Sequence, residues 1–203
     1  MTNATPSRAW QRMLSGRRLD LLDPSPEDIA IEDIAHGLAR VARWNGQTVG
    51  DHAFSVAQHV LIVEDICHAL HPQWRTEYRL AALLHDAAEY VIGDLISPFK
   101  TAIGLDYKAF ELRLLDAIYR RFSVPVPLPE DIAGAIKHAD RIAAYYEATR
   151  LAGFAEDEAH IYFSHDERLP PALAARLDRL EPAAPDLTQK DFLARFVDLS
   201  SRR

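Results

Sequence analysis

The chain contains only one cysteine, Cys67, in 203 residues. A single cysteine cannot form an internal disulfide, and this scarcity is typical of a reducing compartment. Basic residues are also in the minority. The chain has 23 Lys and Arg and 30 Asp and Glu, which gives a net charge of −7. This balance argues against broad binding to a nucleic-acid polymer or an anionic membrane, although it permits a local cationic pocket for one phosphate.

Long apolar runs are absent from the sequence as well. No uninterrupted apolar segment approaches the length that spans a bilayer, and the first residues show no charged stretch followed by an apolar run. The hydrophobic fraction of 48% and the charged fraction of 26% are those of an ordinary globular protein. We therefore expect a soluble, cytoplasmic protein whose residues 1–203 form one domain.

The hydrophobic pattern predicts an all-α bundle with a small β element. Short extended segments at 18–22 and 28–31 flank a turn-forming Asp-Pro-Ser-Pro sequence, so we expect them to pair as a hairpin. The segment 52–70 is apolar on more than one side, which is typical of a central, buried helix. Apolar residues at helical spacing predict the following helices: 32–41, 52–70, 75–92, 107–122, 131–151 and 189–197.

An unusual group of ionisable residues lies within the stretch 83–94, which is otherwise mostly apolar. His85 and Glu89 are four residues apart and would share one face of a helix, with Asp86 about 100° round from His85. Gly93 is expected to end that helix. Buried charges are unfavourable unless they are paired or bind a metal. The alternative is that both acidic side chains face water and that His85 is an ordinary half-buried histidine.

Two further residues extend this group. His59 lies on the predicted central helix, and Asp140 lies among apolar residues of a later predicted helix. With His85 and Asp86 they form a set of two imidazoles and two carboxylates on three apolar helices, which suits a first-row divalent metal ion. Mixed nitrogen and oxygen ligands admit Mn, Co, Fe, Ni, Zn or Mg, so the metal's identity stays open. Taken alone, Asp140 would more commonly be a surface residue.

A loop with two glycines, at 43–51, carries the pair Arg43-Trp44. Loops beside a rigid scaffold often carry recognition groups, so this pair is a candidate for binding a substrate. The alternative is that Trp44 covers the core and that Arg43 is solvated.

Several of these segments, in this order, resemble the HD-domain metal-dependent phosphohydrolases, which are named for a His-Asp doublet. Within that superfamily they are most similar to the bacterial 5′-deoxynucleotidases. The resemblance implies an HD-type helical bundle with its core at about 32–152 and packed extensions at 1–31 and 153–203. The matching segments are Arg43-Trp44, Val56-Ala57-Gln58-His59, His85-Asp86-Ala87-Ala88-Glu89, Gly93-Asp94-Leu95, Pro98-x-Lys100 and Lys137-x-Ala139-Asp140.

The same resemblance implies a role for each matching residue. The ligands of one divalent metal ion would be His59, His85, Asp86 and Asp140. Glu89 would be catalytic and would position or deprotonate the attacking water, since it lies one turn beyond a ligand. Asp94 would be a second catalytic residue, in contact with a sugar hydroxyl of the substrate. The residues implied to bind substrate are Arg43, which could hold the phosphate in bidentate fashion, Trp44, Asp94 and Lys100.

His52 is an alternative to His59 as the first ligand, because Val56-Ala57 follows it as in many relatives. The two histidines are seven residues apart, about 10 Å along one helix, so both cannot bind one ion. The spacing from Arg43 fits the nucleotidases better with His59, which we therefore prefer. The histidines interpreted as structural or surface residues are His36, His68 and His138.

The function implied by the resemblance is metal-dependent hydrolysis of a small phosphomonoester, with a (deoxy)nucleoside 5′-monophosphate as the leading substrate. One alternative is an HD phosphohydrolase that cleaves a nucleotide diester or pyrophosphate. Another is a non-catalytic nucleotide-sensing protein, although mere metal storage would need neither Glu89 nor Asp94. Related enzymes are often homodimers. The first 40 residues do not match the nucleotidases, so recognition of the base or of the 2′ position can differ.

Overall fold

The computed structural model describes residues 9–94, 105–163 and 167–202. Over these residues the chain forms nine α-helices, two short 3-10 helices and one two-stranded hairpin, which confirms the predicted all-α bundle. No helix in this part of the chain is long and apolar enough to cross a bilayer. The helices are α1 (Ile31–Leu38), α2 (Val56–Leu70), α3 (Thr76–Leu83), α4 (Glu89–Ile92), α5 (Leu105–Arg121), α6 (Glu130–Arg150), α7 (Glu156–Phe163), α8 (Pro171–Leu177) and α9 (Pro185–Ser201).

Helix α2 is the centre of the bundle, as its sequence predicted. The Ser55 hydroxyl begins the helix by accepting a hydrogen bond from the backbone N–H of Gln58, one of the donors that a helix start leaves without a partner. Most residues of α2 are buried, and the helix packs against α3, α6 and α9. The prediction began this helix at residue 52, but His52 is exposed and precedes the cap.

One hydrophobic cluster joins the central helices to elements near both ends of the described chain. It includes Leu19 from the hairpin region and Phe192 and Leu199 from α9, all fully buried. Buried apolar surface contributes about 25 cal/mol per Å², so segments that share this cluster stabilise one another. Residues near both ends of the described chain therefore pack onto the same core as the central helices, and the division of the chain into one domain stays a prediction.

The N-terminal hairpin exists, but the prediction of its partner strand was wrong. Strand β1 (Trp10–Arg12) pairs antiparallel with β2 (Arg18–Asp20), so that Gln11 faces Leu19. Gly16, with a φ of 86°, closes the connection in the left-handed region. The segment expected to pair with β2, 28–31, instead joins the end of a 3-10 helix, Pro26–Asp28, which the Ser25 side chain caps, to the start of α1 at Ile31.

The predicted helix 75–92 is not continuous, because it breaks at the His-Asp doublet. Helix α3 ends at Leu83, and α4 begins only at Glu89. Between them the N–H groups of Ala87 and Glu89 bond to carbonyls three residues back, at 2.9 and 3.0 Å, as in a tighter turn. Gly93, with a φ of 76°, ends α4 as predicted. The doublet therefore lies in a tight turn between two helices.

The C-terminal part of the chain is more helical than predicted. Helices α7 and α8 were not predicted, and α9 extends well beyond the predicted 189–197. Prolines at the first positions of α8 and α9 start these helices, where the missing N–H would have no partner in any case.

Candidate metal centre

Three segments bring the predicted ligands together. His59 comes from α2, His85 from the turn between α3 and α4, and Asp140 from α6. One ligand atom from each of the three residues lies within 4.8 Å of the others, a spacing that could hold one metal ion. Helix α2 packs directly against α3 and α6, which explains why residues so distant in sequence meet here.

The orientation of His59 is set by a carboxylate behind it. Its Nδ1 lies 2.5 Å from Oε1 of Glu147, and both side chains are fully buried. Burial alone would raise the pKa of Glu147, but the charges of Arg43 and His59 lower it to about 2. Glu147 is therefore ionised at neutral pH and can only accept, so Nδ1 of His59 carries the hydrogen. In the neutral form of this tautomer, the lone pair lies on Nε2.

His85 is oriented in the same way by the backbone. Its Nδ1 donates to the carbonyl oxygen of Ala82 at 2.8 Å, since a carbonyl can only accept. Among the described residues, Nε2 of His85 and Nε2 of His59 are buried and make no well-aligned hydrogen bond, and they face carboxylate oxygens of Asp86 at 3.4 Å and of Asp140 at 3.1 Å. Buried nitrogen atoms of this kind are unfavourable unless a ligand binds them. The two Nε2 atoms and Asp140 therefore fit a divalent cation.

Asp86 lies beside this group. Its Oδ2 is 3.4 Å from Nε2 of His85, 3.6 Å from Nε2 of His59 and 3.6 Å from Nη1 of Arg43. Burial would raise the pKa of Asp86, but these three positive or potentially positive groups lower it well below its usual range. The carboxylate is therefore ionised and available as a further oxygen donor.

The surrounding carboxylates also raise the pKa values of the two histidines. Burial and the charge of Arg43 lower the pKa of His59, but Glu147 and Asp140 outweigh them and raise it to about 10. Burial likewise lowers the pKa of His85, and its neighbour Asp86 raises it above the usual value. A divalent cation bound at these nitrogen atoms would displace the protons, since histidine binds a metal in its neutral form.

Arg43 and Trp44 are held at the edge of the site by Glu147, a residue that the sequence analysis missed. Nε of Arg43 and Nε1 of Trp44 each donate to Oε2 of Glu147 at 2.9 Å. The Trp44 ring also packs against Phe154 and Phe163, at centroid distances of 5.7 and 5.8 Å. This packing agrees with the alternative interpretation of Trp44 as a cover for buried residues.

The signal for Glu147 was present in the sequence. It lies two helical turns after Asp140 on α6, and hence on a similar face. A glutamate in a helix is usually a surface group, whereas Glu147 is fully buried.

No protein-family model matches the chain. The chain is 58% identical over 171 residues to an uncharacterized protein of Rhodobacter capsulatus, which covers 84% of this chain and 87% of that protein. It is 31% identical over 192 residues to the uncharacterized protein YfdR of Escherichia coli, which covers 95% of this chain and 96% of YfdR. The chain belongs to their family.

One solved structure is similar in fold to this protein. It is the cyanophage S-2L HD phosphohydrolase DatZ bound to dA and one catalytic Zn²⁺ ion, with a TM-score of 0.51 and 17% identity over 84% of this chain and 96% of that chain. The fold is therefore that of an HD phosphohydrolase. This likeness concerns the fold alone and does not single out the 5′-deoxynucleotidases.

The remaining site residues that the sequence predicted lie as follows. Glu89 is almost fully buried, at 2% exposure, in the first turn of α4. Asp94 follows the glycine that ends α4, and its charge contributes, after Glu147, Asp86 and Asp140, to a raised pKa of Arg43. Lys100 lies outside the described residues.

His52 is exposed and is not part of the three-residue group. Because His52 precedes α2, the expectation that it shares a helix with His59 was wrong.

Proposed function

We propose that this protein is a metal-dependent phosphohydrolase that cleaves a small phosphomonoester, namely a (deoxy)nucleoside 5′-monophosphate. The observation that carries the proposal is the convergence of two buried Nε2 atoms and the Asp140 carboxylate, within the described residues. Imidazole nitrogen and carboxylate oxygen together are ligands for a first-row divalent cation. The HD fold of a solved phosphohydrolase supports the same chemistry.

The proposed metal ligands are His59, His85, Asp86 and Asp140. A divalent ion held by these residues would polarise a phosphoryl oxygen and make a water molecule more acidic. Asp86 supports this set because its Oδ2 lies within 3.6 Å of Nε2 of both histidines. The zinc ion in the cyanophage protein makes zinc a natural first choice for reconstitution.

Arg43 is the proposed phosphate ligand. Its Nε is engaged by Glu147, and its Nη1 lies 3.6 Å from Asp86, at the edge of the metal group. Nη1 therefore lies beside a proposed metal ligand, which supports a role for Arg43 in binding the phosphoryl group. A guanidinium held in this way can donate two parallel hydrogen bonds to phosphate oxygens.

Glu89 is the proposed acid–base residue. It is buried three residues after Asp86, and its backbone N–H donates to the Asp86 carbonyl at 3.0 Å, so the two residues are held in one tight turn. In the proposed reaction a water oxygen attacks phosphorus, the bond from phosphorus to the ester oxygen breaks, and Glu89 takes the water proton and returns it to the leaving oxygen. Acid–base catalysis of this kind contributes about 10²- to 10⁴-fold to the rate.

Recognition of a nucleotide is proposed for Trp44, Asp94 and Lys100. The indole of Trp44 offers an apolar face beside Arg43, and Asp94 lies near the Arg43 charge. The cyanophage HD phosphohydrolase binds the nucleoside dA, which is consistent with a nucleoside moiety in this fold. A cytoplasmic location and a homodimer remain proposals from the sequence alone.

Phosphate release from a panel of ribo- and deoxyribonucleoside monophosphates tests the proposal. The protein is first stripped of metal and then resupplied with zinc, manganese, cobalt or magnesium. We expect metal-dependent release that falls by about 100-fold or more in Glu89→Gln. Glu64→Gln is the matched control, because Glu64 is also fully buried but pairs with Arg79 and Arg195. Activity only on diesters or pyrophosphates, or none with bound metal, would overturn the monophosphate proposal.

A further inference from the structure

The two carboxylate oxygens of Glu147 accept hydrogen bonds from different parts of the site. Oε1 accepts from Nδ1 of His59, the α2 residue of the metal group, at 2.5 Å. Oε2 accepts from Nε of Arg43 and from Nε1 of Trp44, both at 2.9 Å. The side chain is fully buried, so it contacts these three donors away from bulk solvent. One carboxylate therefore connects the metal group with the loop proposed to bind substrate.

The loop on the Oε2 side is in a conformation that needs support. Trp44 and Asn45 have φ values of 55° and 50°, in the left-handed region that side chains other than glycine rarely adopt. Such conformations persist where surrounding contacts hold them in place. The hydrogen bonds from Arg43 and Trp44 to Glu147 are contacts of this kind, and they determine where the guanidinium points.

The contact on the Oε1 side sets the chemistry of His59. An ionised carboxylate only accepts, so the hydrogen stays on Nδ1 and the lone pair of the neutral ring stays on Nε2, which faces Asp140 Oδ1 at 3.1 Å. A ring with the hydrogen on Nε2 could not bind a cation on that side.

We propose that Glu147 is a positioning residue that links the two halves of the site, by holding His59 in its metal-binding tautomer through Oε1 and the Arg43-Trp44 loop through Oε2. The inference rests on the proposed function, since it takes His59 as a metal ligand. If it is correct, the binding of metal and the binding of phosphate both depend on Glu147, a buried side chain that would contact neither ligand.

Glu147→Gln separates this role from simple burial. Its amide has one accepting oxygen and one donating NH₂ group, whereas the site presents three donors. The oxygen satisfies two donors if it faces Arg43 and Trp44, which turns the NH₂ group towards His59. Nδ1 of His59 must then accept, which moves the hydrogen to Nε2 and blocks the metal site. The variant should thus lose metal affinity while it keeps the substrate loop.

The metal affinity of the folded protein is the first measurement, by competition with a chelator for zinc. We expect Glu147→Gln to bind zinc about 10- to 100-fold more weakly, as is typical when the hydrogen-bond partner of a metal-binding histidine is lost. Glu64→Gln, which alters an equally buried carboxylate that accepts from two arginines and no histidine, should bind zinc as the wild type does. Equal zinc affinity in wild-type protein and Glu147→Gln would overturn the inference.

The second measurement separates the two oxygens. Trp44→Phe removes the indole N–H but keeps a ring against Phe154 and Phe163, so we expect a higher KM for nucleotide with unchanged zinc affinity. Glu147→Gln at saturating zinc should show the opposite, with KM near the wild-type value. A purely structural role for Glu147 would change the stability of both variants and neither binding constant.

A third measurement needs no variant and remains decisive if Glu147→Gln does not fold. Nitrogen-15 NMR of zinc-loaded wild-type protein should show His59 with hydrogen on Nδ1 and metal on Nε2. Metal on Nδ1 would overturn the inference. The zinc-affinity and NMR measurements are independent of turnover, so a protein that binds zinc as described but releases no phosphate would refute the proposed function and leave this inference standing.

Discussion

Nδ1 of His85 bonds to the carbonyl oxygen of Ala82 at 2.8 Å. In a continuous α-helix that carbonyl would accept from the backbone N–H of Asp86. The His85 ring thus donates to the carbonyl that would otherwise accept from the backbone of Asp86. The α-helix is interrupted there, and the chain turns more tightly before Glu89. The same contact fixes the ring so that Nε2 points towards Asp86, at 3.4 Å. The break in the helix and the shape of the metal site therefore have one local cause.

The choice between His59 and His52 is directly testable. We expect His59→Ala to lose zinc binding, because it removes one of the three grouped ligands. His52→Ala should bind zinc normally, since His52 is exposed and lies outside that group. Titration with a zinc-sensitive chelator measures both. Loss of binding in His52→Ala with retention in His59→Ala would reverse the assignment.

Metal should stabilise the fold. A ligand that binds only the native state adds about 2.7 kcal/mol at a free concentration 100-fold above its dissociation constant. For a chain of this length that corresponds to a rise in Tm of roughly 5–10 °C. Thermal unfolding followed by circular dichroism, with zinc and with a chelator, checks the shift. His59→Ala should show no shift, and an equal shift in that variant would place the ion elsewhere.

Cys67 should be unreactive in the native protein. Burial, and then the charge of Glu64, raise the pKa of its thiol to about 12. The native pKa exceeds the unfolded value of about 8.5, so the contribution to stability is complete below pH 8.5 and is lost as pH rises towards 12. We expect a thiol reagent at pH 8 to label urea-unfolded protein quickly and native protein only as it unfolds. Rapid labelling of native protein would contradict this environment.

Two glycines should respond in opposite directions to alanine. A Cβ on Gly37 of α1 would lie 2.8 Å from the Cβ of Tyr90 on α4, so we expect Gly37→Ala to lose about 1–3 kcal/mol of unfolding free energy. A Cβ on Gly134, inside α6, would meet nothing within 4 Å. Gly134→Ala should therefore gain about 0.5–1 kcal/mol. Urea unfolding measures both, and a stabilised Gly37→Ala would refute the close packing of α1 on α4.

Hydrophobic patterning predicted the bundle and its central helix, because α2 is apolar around most of its surface and no other environment suits it. It did not predict the features that depend on single contacts between distant residues. The pairing of β1 with β2 depends on a glycine turn, and the break before α4 depends on a side chain that competes for a backbone carbonyl. Periodicity cannot reveal either of these.

The candidate site divides in the same way. His59, His85 and Asp140 were found because their residue types are unusual on apolar helices, and the structure brings them together. Glu147 was missed because a glutamate in a helix is usually a surface group, and its burial becomes clear only once Arg43 and His59 are seen to face it. Its role, like those of the other site residues, is a prediction for experiment.

The most direct test of the account is a titration of metal-free protein with zinc, in which bound metal and phosphate release from a deoxynucleoside 5′-monophosphate are measured together. We predict that release rises with bound metal and saturates at one ion per chain, the number that the group of His59, His85 and Asp140 can hold. Full occupancy of one ion without release of phosphate would contradict the proposed function.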